Sequence, residues 1–447
     1  MISTIAEIIR SSATWLWGPP MLILLSIVGI YFTLRLRCLQ LKKFFKAARL
    51  TYIKRTGSGE GNITPLQSLL GALGGIIGNG TLAGIPTAIC LGGPGALFWM
   101  WVASFIAMII VYSGTLLALM NREKSADGTY SGGPMFYIKN ALNLKWLAVI
   151  YALAFTFKAL LSTTAMQSNS VSLAAYSAFD FSWVPGWMPP LLPVCIMLAL
   201  LTLAVTIGGI WSIARVLEKI TPFMVLLFML LGTTIILFNI DSLLKTLALV
   251  FEKAFTPASA AGGFAGTSVM LAIRYGVARG FYSNEAGMGS QPMMYSAAKI
   301  DNMHTQSLIA MFGVFIDTVV STIVAMTILI TGAWMTGLTS TALTTSAFQT
   351  FYGHYGGYIV FFSSFLFGYS TLLAWCFYGE QTFAFVFGPR TKNFYRCAFS
   401  IMIAFGFFKV ETIWSVGDIF NAIVIGVNVI SIFFLIHKVV NGTKLKK

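Results

Sequence analysis

Apolar residues occur in long runs along most of this chain, and short polar stretches separate the runs. A helix that crosses a bilayer needs about 20 mostly apolar residues. The predicted spans are 15–36, 65–91, 94–120, 146–178, 187–210, 213–238, 248–275, 304–332, 354–385, 394–410 and 413–437. The alternating segments of a membrane β-barrel do not appear. The pattern predicts an all-α membrane protein of about 11 transmembrane helices, with residues 1–447 forming a single membrane domain.

Two of these runs contain glycine clusters that interrupt the helical pattern. They read GGIIGNGTLAGIPTAI at 74–89 and SAAGGFAGTS at 259–268. With the run 15–36 set aside as an extra N-terminal helix, ten spans remain and divide into 65–238 and 248–437. Because each half holds five spans, the second half enters the membrane from the opposite side. Matching glycine-broken helices in two inverted halves indicate a transporter with its binding site near the midplane.

The first cluster raises the question of why a buried helix should break. Irregular backbone at membrane depth is tolerated only where protein or a water-filled cavity satisfies it. Close helix packing is the alternative role of glycine, and it is favoured for Gly71, Gly84 and Gly92. For Gly78-Asn79-Gly80-Thr81, the polar side chains favour unwinding. The free N–H groups of a half-helix then suit a carboxylate, and free carbonyls suit a cation or an ammonium group.

The basic excess of the chain is a topology signal. The formal net charge is +15, and eight of the 29 Lys and Arg residues lie in 35–55. If that loop is cytoplasmic, alternating spans place 24 of the 29 on the same side. The positive-inside rule then predicts a cell-membrane protein with its N-terminus outside and its C-terminus in the cytoplasm. The lipid bilayer is the expected partner; no nucleic acid and no obligatory protein partner is expected.

Candidate chemistry for an enzyme is absent from the sequence. The three histidines lie near loop ends, the five cysteines form no CxxC pair, and no HExxH, GxSxG or P-loop motif occurs. A channel would need a repeated filter, and none is visible. We therefore predict a non-enzymatic carrier that works by alternating access, and an ion channel remains the less favoured alternative.

A combination of motifs resembles the alanine/glycine:cation symporter family, also called the sodium:alanine symporters. The motifs are GNITPLQSLLGALGGIIGNGTLAGIPTAICLGGPGALFWMW at 61–101, YSGGPMFYI at 130–138, AMQSNS at 165–170, RYGVARGFYSNEAGMGSQP at 274–292, GVFIDT at 313–318 and YSTLLAWCFYGE at 369–380. The resemblance implies a LeuT-like 5+5 inverted repeat with two broken helices. It also implies cation-coupled symport of alanine or glycine, driven by Na⁺ or less often by a proton. The family usually has Gly-Thr-Gly-Asn at the first break, so this chain's Gly-Asn-Gly-Thr leaves substrate and ion number open.

The first break supplies the predicted carboxylate site. We expect the substrate carboxylate at the backbone N–H groups of Asn79 and Gly80, with Thr81 also in the substrate site, and the substrate ammonium group at carbonyls within 261–266. Thr371 and Trp375 are four residues apart and share a helix face. The resemblance implies that both face the substrate and that Trp375 limits its side chain to about a methyl group. The alternative is that Trp375 is an ordinary lipid- or core-facing aromatic.

Two further residues are substrate-site candidates with open alternatives. The resemblance implies that Gln167 points to the substrate, whereas an interhelical hydrogen bond would explain it equally well. Phe264 either closes the pocket or simply packs.

The resemblance also implies a sodium site of neutral oxygens. The carbonyls of Gly74 and Ile77 and the hydroxyls of Ser370 and Thr371 occupy the matching positions. The alternative is that both hydroxyls bond to their own helix.

Ionisable residues at membrane depth are candidates for ion coupling. Asp317 is a candidate to bind an ion, to carry a proton or to pair with a basic residue. Lys158 is expected to snorkel to the inner interface; alternatively, its ammonium group replaces a sodium ion and makes the carrier proton-coupled. The segment 274–292 is interpreted as a cytoplasmic helix end and gate loop, in which Arg279 and Glu285 form either a gate pair or a solvated salt bridge.

Overall fold

The computed structural model is almost entirely helical. It describes residues 7, 11–12, 15–16, 18–53, 56–256, 269–408 and 411–444, apart from the side chains of 411–414 and 444. In the N-terminal part the helices are Pro19–Arg35 (α1), Leu39–Lys42 (α2), Phe44–Ile53 (α3), Pro65–Ile76 (α4), Asn79–Gly92 (α5), Ala96–Met120 (α6), Pro134–Ala141 (α7), Lys145–Phe157 (α8), Thr164–Ala178 (α9), Leu192–Thr206 (α10) and Gly209–Phe238 (α11). A π-helical turn, Lys158–Thr163, joins α8 to α9, and a hairpin of Glu123–Lys124 (β1) and Tyr130–Ser131 (β2) follows α6.

The C-terminal part is also built from helices. Its helices are Ile240–Phe255 (α12), Val269–Ser283 (α13), Ser290–Ser296 (α14), Met303–Ile330 (α15), Ser340–Tyr352 (α16), Tyr355–Phe387 (α17), Lys392–Ala404 (α18), Glu411–Phe434 (α19) and Ile436–Lys444 (α20). Short 3₁₀ turns lie at Ala333–Thr336, Pro389–Thr391 and Phe405–Phe407.

Within the described ranges, six helices are long and apolar enough to cross a membrane. They are α6, the continuous unit Lys145–Ala178, α11, α15, α17 and Ser415–Phe434. The bent pair α4–α5 makes a seventh if it counts as one span, and α1 and α10 are shorter apolar helices. The count of 11 spans is therefore not confirmed, because several predicted spans fold as shorter or interrupted helices.

The start of the first broken helix is fixed by local sequence. Thr64 Oγ1 accepts a hydrogen bond from the Gln67 N–H, and Gln67 Oε1 accepts one from the Thr64 N–H. This capping box, with Pro65 at the first helical position, satisfies donors that a helix start leaves free. It sets the position from which α4 runs into the protein core.

Helix α6 lies at the centre of the molecule and packs against α13 and α15. The core around the binding region is completed by α9 and α17, which pack along each other, and by α4, which packs on α11 and α17. The extra N-terminal helix α1 packs outside this group, on α6 and α19. The division into repeats at 65–238 and 248–437 and the orientation of the termini remain predictions.

Candidate binding site

The first helix break occurs where the glycine pattern predicts it. Helix α4 ends at Ile76, α5 begins at Asn79, and the two are bent by 46°. Only Ile77 and Gly78 lie between them, so Asn79, Gly80 and Thr81 form the first turn of α5 and are not unwound. Gly78 is required by its surroundings, because a Cβ there would overlap the Thr371 hydroxyl.

A small cavity lies at this break. The volume that the centre of a water molecule can occupy in this cavity is about 50 Å³. One water needs roughly 10–15 Å³ of such volume, so the cavity suits a ligand of few heavy atoms. The lining residues are Gly75, Ile76, Gly78, Gly80, Lys158, Thr163, Met166, Gln167, Tyr282, Ser283, Glu285, Met288, Thr371 and Trp375.

Four of the predicted substrate residues meet at this cavity. Gly80, Gln167, Thr371 and Trp375 all line it. Gln167 Oε1 accepts a hydrogen bond from the Asn79 N–H at 3.3 Å. The amide of Gln167 therefore reaches the half-helix N-terminus at which the substrate carboxylate is expected.

The side chains of Asn79 and Thr81 point elsewhere. Both are buried, and neither lines the cavity. Asn79 Oδ1 instead accepts a hydrogen bond from Ser364 Oγ at 2.8 Å, which joins α5 to α17. Any substrate contact of Asn79 therefore goes through its backbone, and a contact of the Thr81 side chain finds no support in the geometry.

A second helix interruption borders the same cavity. Helix α13 ends at Ser283 and α14 begins at Ser290, and between them Glu285, Gly287 and Gly289 have positive φ angles of 47°, 83° and 88°. The interpretation of 274–292 as a cytoplasmic end and gate loop did not foresee that Tyr282, Ser283, Glu285 and Met288 line the cavity, and the position of this segment relative to the membrane stays a prediction. The interruption predicted at 259–268, including Phe264 and the carbonyls of 261–266, lies outside the described residues.

Charged groups concentrate on the side of the second interruption. Trp375 Nε1 donates a hydrogen bond to Glu285 Oε1 at 2.8 Å, and Ser290 Oγ donates to Glu285 Oε2. The Trp375 ring also stacks on Phe155, with ring centroids 5.2 Å apart. Glu285 and Phe155 thus fix the tryptophan as a wall of the cavity. The alternative of a lipid-facing Trp375 is excluded, because the residue is only 2% exposed.

Lys158 does not snorkel to an interface. It is 5% exposed, and its Nζ lies 3.7 Å from the centroid of the Trp375 ring and 3.5 Å from Met288 Sδ. The expected gate pair is also wrong: no ion pair joins Arg279 to Glu285, and the Arg279 guanidinium lies 5.2 Å over the Tyr282 ring. Sequence reasoning missed Glu285 as a cavity residue because a charged loop is typical of a solvated end.

The predicted cation-site oxygens converge behind the first break. Ser370 Oγ and Thr371 Oγ1 donate to the Gly74 carbonyl at 3.1 and 3.2 Å, and Thr371 Oγ1 also lies 3.3 Å from the Gly75 carbonyl. Ser370 bonds in addition to its own helix at Phe367, whereas the Thr371 contacts all cross to α4. Gly75 is an addition to the predicted set. The Ile77 carbonyl has no hydrogen bond with either hydroxyl.

Asp317 is linked to the cavity through the hydroxyl group of Ser283. It is fully buried, and its Oδ2 accepts a hydrogen bond from Ser283 Oγ at 2.9 Å. No ion pair joins it to a basic residue within the described ranges, which removes that one of its three predicted roles. Binding an ion and carrying a proton both remain predictions.

The whole chain matches a single family model. Residues 2–445 match the model described as the sodium:alanine symporter family. The sodium/alanine symporter AgcS of Methanococcus maripaludis is 36% identical over 98% of this chain and 96% of its own length. The uncharacterized transporter YflA of Bacillus subtilis is 38% identical over 96% of this chain and 91% of its own. A probable sodium/glutamine symporter, GlnT of the same organism, is 33% identical over 96% and 88%.

Solved structures confirm the predicted fold. MhsT in complex with L-phenylalanine superposes with a TM-score of 0.60 at 12% identity, covering 86% of this chain and 98% of that one. A Na⁺-coupled sialic acid symporter gives 0.54 at 13% identity, with 98% and 87% covered. At these identities the likeness concerns the LeuT-like fold alone. From its sequence and fold together, this chain belongs to the sodium:alanine symporter family, and it is a membrane transporter and not an enzyme.

Proposed function

We propose that this chain is a Na⁺-coupled symporter of a small neutral amino acid, with alanine and glycine as the size class, and that it works by alternating access. The observation that carries the proposal is the arrangement at the first break, where a small cavity and a cluster of neutral oxygens share Thr371. Cation and substrate would then bind next to each other, on opposite sides of one side chain.

The oxygen cluster supports sodium as the coupled ion. Hard cations bind oxygen ligands, and the carbonyls of Gly74 and Gly75 with the hydroxyls of Ser370 and Thr371 provide four of them without a formal charge. A hydroxyl serving only its own helix would bond to the carbonyl four residues back. Thr371 instead reaches across to α4, which favours its role as a ligand shared between two helices.

The substrate is proposed to bind with its carboxylate at the N-terminus of α5. The N–H groups of Asn79 and Gly80 belong to its first turn, where the helix dipole favours an anion, and the substrate carboxylate would replace Gln167 Oε1 at the Asn79 N–H. The substrate ammonium group would then face Glu285. The space of about 50 Å³ and the fixed ring of Trp375 keep the ligand small.

Proton coupling is the second candidate. Asp317 supports it, since its carboxylate is buried and Ser283 connects it to the cavity. Lys158 supports the specific idea of sodium replacement less well, because its amino group lies at Trp375 and Met288 and makes no hydrogen bond to the Gly74–Thr371 cluster. The transporter relatives favour either carrier over an ion channel.

Uptake of labelled alanine into proteoliposomes separates the two candidates. The full-length protein is given an inward sodium gradient, an inward proton gradient or neither. We expect uptake above background with sodium alone. Uptake that follows only the proton gradient would replace the sodium proposal with proton coupling through Asp317.

A further inference from the structure

Lys158 brings a buried amino group to the cavity in a setting that offers it little hydrogen bonding. The residue begins the π-helical turn Lys158–Thr163, and such turns often occur at functional sites. Its Nζ contacts a thioether sulfur at 3.5 Å and a ring face, neither of which is a full acceptor. Because lysine carries three donors, hydrogen-bonding capacity remains open towards the cavity.

Lys392, the second buried lysine among the described residues, shows how a buried amino group is usually satisfied. Lys392 is 7% exposed, and its Nζ donates to Asp127 Oδ2 and to Thr129 Oγ1 at 3.0 Å. Lys158 has no ion pair within 4 Å in the described part of the chain, although the carboxylates of Glu285 and Asp418 act on it at longer range. Burying an amino group without an acceptor is costly, and the cation–π contact with Trp375 offsets that cost only in part. A hydrogen-bond acceptor on the ligand would offset the rest of the free-energy cost of burying the Lys158 amino group.

Glu285 lines the same cavity without pairing with Lys158. Its Oε1 is held by the Trp375 indole N–H, while Lys158 lies over the ring of the same tryptophan. The indole therefore contacts both groups at the same end of the cavity, Glu285 through its N–H group and Lys158 through its ring face. An anionic ligand group at Lys158 would meet the Glu285 carboxylate, so the arrangement favours a neutral acceptor.

The separation of Thr371 and Trp375 along α17 is consistent with a substrate carboxylate at one end of the cavity and a substrate side chain at the other. Thr371 adjoins the first break, and Trp375 lies four residues further along, about 6 Å at a rise of 1.5 Å per residue. A carboxylate bound at Gly80 therefore leaves the side chain of a small amino acid facing Trp375 and Lys158.

We infer that Lys158 selects small neutral amino acids whose side chain carries a hydroxyl oxygen as an acceptor over purely apolar ones of the same size. The inference rests on the proposed function for the placement of the substrate carboxylate. Serine is the probe of this class, and L-2-aminobutyrate is its apolar match, since it exchanges only the hydroxyl for a methyl group.

The experiment measures ligand binding to the purified full-length protein by thermal shift, in saturating sodium chloride and, in parallel, in choline chloride. In the wild type, serine is expected to bind about tenfold more tightly than 2-aminobutyrate, the usual effect of one hydrogen bond to a charged group. In Lys158→Met the ratio of the two dissociation constants falls to about one, because methionine keeps the length and loses the donors. Lys158→Arg keeps a preference for serine.

Lys392→Met is the matched control, because it removes a buried lysine that does not line the cavity. It should leave the ratio of the two dissociation constants at its wild-type value. A wild-type ratio below about threefold, within the range of a single neutral contact, overturns the inference even if Lys158→Met does not fold. An unchanged ratio in a folded Lys158→Met overturns it as well. Aspartate binding more tightly than serine contradicts the neutral class. A failure of the proposed function would look different: the serine preference would persist while sodium changed the affinity of no ligand.

Discussion

The two helix interruptions at the cavity use different parts of the chain. The first consists of Ile77 and Gly78 and presents backbone groups and the Thr371 hydroxyl, all without formal charge. The second runs from Asn284 to Gly289, with Glu285, Gly287 and Gly289 at positive φ, and it presents a carboxylate. Trp375 joins this carboxylate to the neighbourhood of Lys158.

This difference indicates a division of labour. Neutral oxygens suit an ion that must bind and leave again, because a full counter-charge would hold it too strongly. Charged side chains suit the recognition of a substrate's own polar groups, because leaving them unpaired penalises the wrong ligand. We therefore expect changes at the first interruption to alter sodium dependence and changes at the second to alter substrate affinity.

The largest effect is expected from Gly78→Ala. The backbone of Gly78 is extended, with φ −119°, and accepts alanine, but the added methyl would overlap the Thr371 hydroxyl and lie 3.4 Å from Gln167 Nε2. Forcing a methyl group into a tightly packed site costs about 1–3 kcal/mol, so sodium-driven alanine uptake should fall by roughly 5- to 150-fold. The measurement is the initial rate of uptake in proteoliposomes.

Gly426→Ala is the control for a glycine-to-alanine change. A Cβ at Gly426, within α19, meets nothing within 4 Å. Full uptake is expected, with stability raised by about 0.5–1 kcal/mol. Equal uptake by the Gly78 and Gly426 variants would show that the approach of Thr371 to the break is unimportant.

Thr371→Val comes next and isolates the hydroxyl. Valine keeps the shape and removes one oxygen from the cluster at Gly74 and Gly75. Losing a contact to a charged partner costs about 1.5–3 kcal/mol, so the sodium concentration for half-maximal uptake should rise about tenfold or more. Thr318→Val is the matched control, because the Thr318 hydroxyl bonds to its own helix at Val314. An unchanged sodium requirement in Thr371→Val would move the ion elsewhere.

A smaller effect is expected from Glu285→Gln. Glutamine keeps an acceptor for the Trp375 indole but removes the charge. The difference between a charged and a neutral hydrogen bond is about 1 kcal/mol, so the dissociation constant of alanine should rise roughly fivefold. The sodium requirement should stay at its wild-type value. A variant with altered sodium dependence and normal alanine affinity would reverse the proposed division.

The smallest effect concerns the β1–β2 hairpin, which does not line the cavity. Partial burial raises the pKa of Asp127, but hydrogen bonds from Lys392 and Thr129 outweigh it and hold the pKa below its ordinary value. A depressed pKa contributes stability that is present above the ordinary value, about 3.9, and is lost as pH falls through the folded-state pKa. Thermal unfolding curves between pH 6 and 3 should show a shallower acid loss for Asp127→Asn than for the wild type. Parallel curves would mean that the pair with Lys392 does not stabilise the fold.

The sequence predicted the first interruption well because glycine spacing is a local signal. The convergence of Gly74, Ser370 and Thr371 was also predictable, from the resemblance to the family, although these residues are about 300 positions apart in the chain. Both inferences rely on backbone properties or on motifs that match the family, and neither requires knowing how a particular charged side chain packs.

The second interruption could not be placed in the same way. Residues 283–289 contain an acid and two glycines, a composition typical of an exposed turn, and burial is decided by the helices that enclose them. Lys158 was misjudged for a related reason. Snorkelling is the usual behaviour of a lysine in a membrane helix, and only the π-helical turn and the position of Trp375 turn it inward. One signal was available, since GFYSNEAGMGS places polar groups and glycines directly after an apolar helix.

Sodium–alanine coupling in binding tests the central claim most directly. Alanine affinity of the purified wild-type protein is measured in sodium chloride and in choline chloride, and sodium affinity is measured with and without alanine. Because linkage is reciprocal, adjacent sites that share Thr371 should raise each other's affinity by the same factor, about tenfold. Alanine affinity that is identical in the two salts would contradict the account, since the first interruption would then hold no coupling ion.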